Sequence, residues 1–134
     1  FDYEREIFIK YDKINFFRML MKAYPQALKK SEVKENYWYI LSVTDESEKI
    51  RERFLFNCCK NYSKINIKKI SISETINLSP VSEITIDYRL LFGLLSGIYH
   101  WNTASGGSLY FTKRNPPTYF SREAHRFINF LCAV

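Results

Sequence analysis

Histidine is scarce in this chain. His100 and His125 are the only two in 134 residues, beside three cysteines, Cys58, Cys59 and Cys132. Two histidines without a Cys-x-x-Cys pair do not make an ordinary zinc site, so no metal and no other cofactor is expected. Cys58 and Cys59 are adjacent and alternate faces on a strand, which argues against a metal pair or a mutual disulfide. Free buried thiols fit a reducing compartment, and the expected location is cytoplasmic. Glycine and proline number four each, too few for a disordered or low-complexity chain. No apolar run is long enough for a transmembrane segment, and no signal-peptide pattern is present. The catalytic patterns are missing too. Ser105, Gly107 and Ser108 make no G-x-S-x-G elbow, and Gly106-Gly107 lacks the lysine and spacing of a phosphate loop. No catalytic residue is therefore expected.

Aromatic residues are what the chain has in excess: ten Tyr, eleven Phe and two Trp, 17% of the whole. At this length one domain with a substantial core is expected. The rings exceed what a thin core needs, so some should line a pocket or an interface. The chain opens at Phe1 into the charged stretch Asp2–Glu6, which suggests the C-terminal part of a longer protein.

The net charge of +6 is concentrated. Residues 49–69 hold seven Lys or Arg against the single acid Glu52. Such a stripe can meet phosphate or an acidic partner. The favoured reading is a solvated edge strand guarded by lysines, which leaves nucleic acid an unfavoured partner. Lys113, Arg114, Arg122 and Arg126 also offer an anion a group of cations, with surface solvation as the default.

Periodicity supplies the elements. Ile14, Phe17, Leu20, Met21, Tyr24 and Leu28 recur at helical spacing, with a break expected near Tyr24 because of Pro25. The run Tyr37–Val43 is apolar on both alternating sets, as in an interior strand. A second strand is expected over Arg53–Cys58. Ile65 and Ile67 share one parity and Ile70 and Ile72 the other, so a bulge or turn is expected at Lys68-Lys69. Ile84 and Ile86 alternate with polar residues. Asp87 can cap a short helix bearing Leu90, Leu91, Leu94 and Leu95, with Gly97 placed to end it. Ser108–Thr112 alternates again, and Ser121 can cap a last helix carrying Ala124, Phe127, Ile128 and Leu131. The order predicts an α+β fold, a largely antiparallel sheet of about five strands with helices packed on one face.

The segment from Tyr99 to Ser108 joins His100, Trp101 and Asn102 to the paired glycines Gly106 and Gly107. It reads as a loop anchored by a buried tryptophan or as a binding loop.

The stretch from Ile84 to Leu131, with its leucine-rich short helix ending at Leu95-Ser-Gly97 and Gly107-Ser-Leu109 leading into a strand, resembles sterol carrier protein-2-like domains. That resemblance implies one such domain over 1–134 and, in some members, an apolar lipid tunnel. Tyr99-His100-Trp101-Asn102, followed by Ala104, Gly107-Ser108 and Phe130, resembles the C-terminal region of certain metallo-β-lactamase-fold proteins. Thr103 and Ser105 stand where those carry Asn and Glu. This second resemblance implies a noncatalytic module beside a companion N-terminal metal-dependent hydrolase domain, binding an apolar small molecule or shaping a substrate entrance. The expected ligand pocket lies between sheet and helices, lined by Phe17, Met21, Leu91 and Phe111, with His100, Trp101 and Asn102 at its rim. A protein-interaction or homo-oligomer module is the alternative, and a nucleic-acid binder through residues 49–69 the third.

Overall fold

A computed structural model describes residues 9–59, 67–101 and 110–133. After a 3₁₀ turn at Tyr11–Lys13 the elements are α1 (Phe16–Ser31), β1 (Trp38–Thr44), β2 (Ile50–Asn57), β3 (Lys68–Ile70), β4 (Val81–Asp87), α2 (Tyr88–Leu95), β5 (Phe111–Asn115) and α3 (Arg122–Asn129). The sheet runs β3-β2-β1-β4-β5. Only the central β1–β4 pair is parallel, and the other three pairs are antiparallel. The chain crosses the sheet once, so hairpin-type pairing fills both flanks.

Alternation along the strands gives the sheet two different faces. Tyr39, Leu41 and Val43 of β1, Phe54 and Phe56 of β2, and Ile84 and Ile86 of β4 turn toward the helices. There they meet Leu20, Ala23 and Ala27 of α1, Leu91 and Leu94 of α2, and Phe127 and Ile128 of α3 in one cluster. All three helices thus pack on one face. Ile40, Leu55, Ile70 and Val81 form a smaller cluster on the other face, with Trp38, Ile76 and Leu78 packed against it. Residues 71–80 therefore cross the second face as a strap, which explains why β1 is apolar on both alternating sets.

The helix ends follow the expected chemistry. Asp87 accepts the Arg89 backbone N–H at 2.8 Å, and Ser121 accepts that of Ala124 at 3.1 Å. Gly97 has φ 80°, while Ile98 N–H reaches the Gly93 carbonyl at 2.8 Å and Gly97 N–H that of Leu94 at 3.3 Å. This paired closure requires the left-handed conformation glycine adopts without a Cβ clash.

Several expectations are corrected. Pro25 does not break α1, which runs on through it. The carbonyl left without its helical partner belongs to Met21, a residue on the solvent-facing side of the helix. The buried face of α1 is Phe16, Leu20, Ala23, Tyr24 and Ala27. The small alanines let the helix approach the sheet, leaving Phe17 and Met21 on its flank. No bulge is needed at Lys68-Lys69. Ile67 packs on the helix face and Ile70 on the second face, and both faces are apolar. The last strand begins at Phe111 and continues to Asn115, past the expected end. Asn102, the paired glycines and Ile65 lie outside the described residues.

Candidate functional site

Among the described residues, a cavity lies on each face of the sheet. On the helix face, a recess of about 50 Å³ lies where β1, β4 and β5 meet α3. Tyr37 Oη and Ser82 Oγ share a hydrogen bond of 2.7 Å in its wall, and Thr112, Arg114 and His125 complete the polar lining. Burial lowers the His125 pKa, and the nearby Arg114 charge lowers it further. His125 is thus held toward its neutral form.

Rings lead inward from this recess. Tyr119 stacks on Tyr37 with centroids 6.0 Å apart, and Tyr37 lies 5.4 Å from Tyr39. Tyr39 stacks on Phe56 at 5.8 Å, and Phe127 stands 5.8 Å from Phe56. The column reaches the middle of the core. At the mouth, Tyr119 and Phe120 are 39% and 50% exposed. The Arg114 guanidinium lies 5.0 Å above the Phe120 ring.

On the second face a larger cleft, about 440 Å³, opens between the strap and β5. Ile40, Ile76 and Val81 give it an apolar floor, with Arg53, Glu83 and Lys113 among its polar walls.

The residues chosen from sequence do not converge on either cavity. Trp101 is 3% exposed and donates its indole N–H to the Leu131 carbonyl at 2.8 Å. Its ring packs edge-on against Tyr110, 5.8 Å away, and Tyr110 lines the helix-face recess. Trp101 therefore stands behind the recess wall, while His100 is exposed. Leu91 is fully buried in the core. Phe17 and Met21 are 39% and 45% exposed on the α1 flank, where Phe17 stacks on Phe54 at 6.2 Å. Phe111 is 81% exposed on the opposite side of the sheet from the helices. The pocket drawn from these four apolar residues is not formed, because Phe111 and Leu91 occupy opposite faces. Sequence reasoning passed over Tyr37, Tyr119 and Phe120 as site residues. Their clustering arises from loop geometry that periodicity does not carry.

The basic stripe is largely neutralised among the described residues. Arg51 pairs with Asp12 at 3.3 Å and Asp45 at 3.6 Å, and Lys69 with Glu52 at 3.2 Å. Arg53 is buried. What remains exposed on β3 is the lysine-guarded edge that the sequence suggests. No three His, Cys, Asp or Glu side chains cluster to hold a metal among the described residues, and no described helix is long and apolar enough to cross a membrane. Burial pushes the Cys58 thiol well above its usual range, so it is a poor nucleophile.

A five-stranded mixed sheet, mostly antiparallel and covered by three helices on one face, is an α+β fold of the sterol carrier protein 2 type. The chain is similar in structure to sterol carrier protein 2 from Yarrowia lipolytica in its apo form, with a TM-score of 0.53 and 12% identity, covering 87% of this chain and 86% of that one. No protein-family model matches the chain, and no curated protein matches its sequence. Nothing in these comparisons shows a metallo-β-lactamase parent.

Proposed function

We propose that this chain is a noncatalytic module that binds an apolar small molecule between its sheet and its helices, reached through the Tyr119–Phe120 mouth. The observation that carries this reading is the ring column, which joins a half-exposed aromatic mouth to the core within a sterol carrier-type fold. The recess itself has room for a few waters, so the ligand must part the rings. Each buried CH₂ contributes about 0.8 kcal/mol, so a long acyl chain offsets the exposure of two rings that are already half in water. Trp101 braces the recess wall from behind through Tyr110.

Native mass spectrometry and displacement of a fluorescent fatty acid test this. The expected result is one ligand per chain, with amide shifts at Tyr39, Phe56 and Phe127. Absence of any complex with fatty acid, acyl ester or sterol would overturn it.

The finer form of the reading adds a companion metallo-β-lactamase-fold domain, supported only by the Tyr99–Asn102 motif. A metal motif rich in histidine and aspartate encoded upstream of Phe1 would support that form, and an upstream sequence without one would remove it. The interaction-module alternative has its own observation, Phe111 standing 81% exposed on the edge strand β5. Edge strands with apolar side chains pair readily with other chains. A concentration-dependent dimer in light scattering, lost in Phe111→Lys, would favour it.

A further inference from the structure

The second face of the sheet holds a site independent of the helix-face column. Its walls are fixed. Arg53 donates to the carbonyls of Ser71, Ile72 and Glu74 at 3.2, 3.3 and 2.6 Å, tying the strap to β2. Ile76 and Leu78 then pack on the sheet beside Ile40 and Val81. The cleft between this strap and β5 is therefore bounded by anchored chain on one side and a paired strand on the other.

Its charges are unequally committed. Glu83 accepts from Ser42 Oγ at 2.7 Å and pairs with Arg53 at 3.5 Å, so both of its oxygens are engaged. Lys113 is the cross-strand partner of Glu83 in the register, yet it makes no ion pair among the described residues. Arg114 also borders the cleft, but its guanidinium rests on the Phe120 ring at the helix-face mouth. Glu74 is the remaining acid, accepting from the Ser71 backbone N–H at 3.5 Å. Beside the apolar floor, Lys113 is thus the exposed cation with no ion pair among the described residues.

Size sets the rest. At roughly 30 Å³ per water-sized group, the cleft accommodates about fifteen non-hydrogen atoms. That lies in the usual range of small-molecule sites, with an apolar floor and a few convergent polar groups.

We propose that this cleft binds a small amphipathic carboxylate, its head at Lys113 and its medium-length apolar chain along Ile40, Ile76 and Val81. Lysine supplies a point charge for the head, while the floor discriminates against inorganic anions. The site lies across the sheet from the ring column and does not depend on a ligand there.

The test is titration of the full chain with sodium decanoate, followed by amide shifts and calorimetry, with decanol as the neutral control. Decanoate should shift the amides of Ile40, Ile76, Val81 and Lys113. Lys113→Glu should weaken decanoate by about tenfold and leave decanol unchanged. Lys113 is exposed, so folding should survive, and Lys113→Met serves if the melt shows otherwise. Shifts confined to helix-face residues such as Tyr39 and Ile128 would overturn this site while favouring the column. Absence of shifts, or decanoate affinity within about twofold of wild type in Lys113→Glu, would also overturn it.

Discussion

Replacing Arg53 by methionine tests whether the strap is held by one buried cation. Arg53 is only 7% exposed, and its guanidinium reaches Glu83 and three strap carbonyls. Methionine keeps much of the stem volume and removes every donor. Stripping one partner from a buried ion pair costs about 3–5 kcal/mol, because the other charge is stranded. Glu83 retains the Ser42 hydroxyl, and its side chain is 29% exposed, so water relieves part of that penalty. The released carbonyls belong to exposed residues and rehydrate. The lower end applies, about 3 kcal/mol, or about 10 °C in Tm for a domain of this size. Urea melts measure the loss. Hydrogen exchange localises it, since the Glu74 amide, bonded to the Ser71 carbonyl at 3.2 Å, should lose protection first. Adding Glu83→Gln should recover about 1 kcal/mol or more by removing the stranded charge. A single variant that melts within about 1 kcal/mol of wild type would refute the account of the strap.

Trp101→Ala should destabilise the fold by about 3–5 kcal/mol in denaturant melts, the range for removing a large buried aromatic. Trp101→Phe should lose about 1–3 kcal/mol, because the Leu131 carbonyl is left without its indole donor. Gly97→Ala forces a Cβ into the left-handed region and should cost about 1–2 kcal/mol by the same assay. His125 makes stability depend on pH. Its folded pKa lies below the ordinary 6.5, so the fold prefers the neutral imidazole. The unfolded chain therefore binds the proton first as pH drops below 6.5, and stability declines until the folded pKa is passed. Above the ordinary pKa the contribution is complete. His125→Gln should flatten this part of the stability profile, and an unchanged slope would exclude His125 as its source.

Much of the fold was legible because local chemistry and tertiary packing agree. Asp87, Gly97 and Ser121 begin or end their helices by hydrogen bonds that reach only a few residues, so the local sequence suffices to place them. The run Tyr37–Val43 reads as an interior strand for the same reason that it is one, since both of its faces are covered. Pro25 carries a local breaking signal, but its lost bond falls at exposed Met21, on the solvent side of the helix. At Lys68-Lys69, an alternating strand with two apolar faces imitates a strand with a bulge.

The site was less legible, and the physical cause is sequence separation. Tyr119 finds Tyr37, Arg53 finds residues 71–74, and Lys113 finds Glu83 only after the strands have paired. No periodicity encodes such meetings. Phe17, Met21, Leu91 and Phe111 are each large and apolar, a property shared by core, flank and edge residues. Position in the sheet separates them. Phe111 and Thr112 are neighbours in sequence, but Phe111 faces the strap side while Thr112 lines the recess under α3. One step along β5 thus changes which cavity a side chain can serve. That alternation makes the two binding proposals separable, since Lys113 can be altered on one face while His125, across the sheet on α3, remains in place.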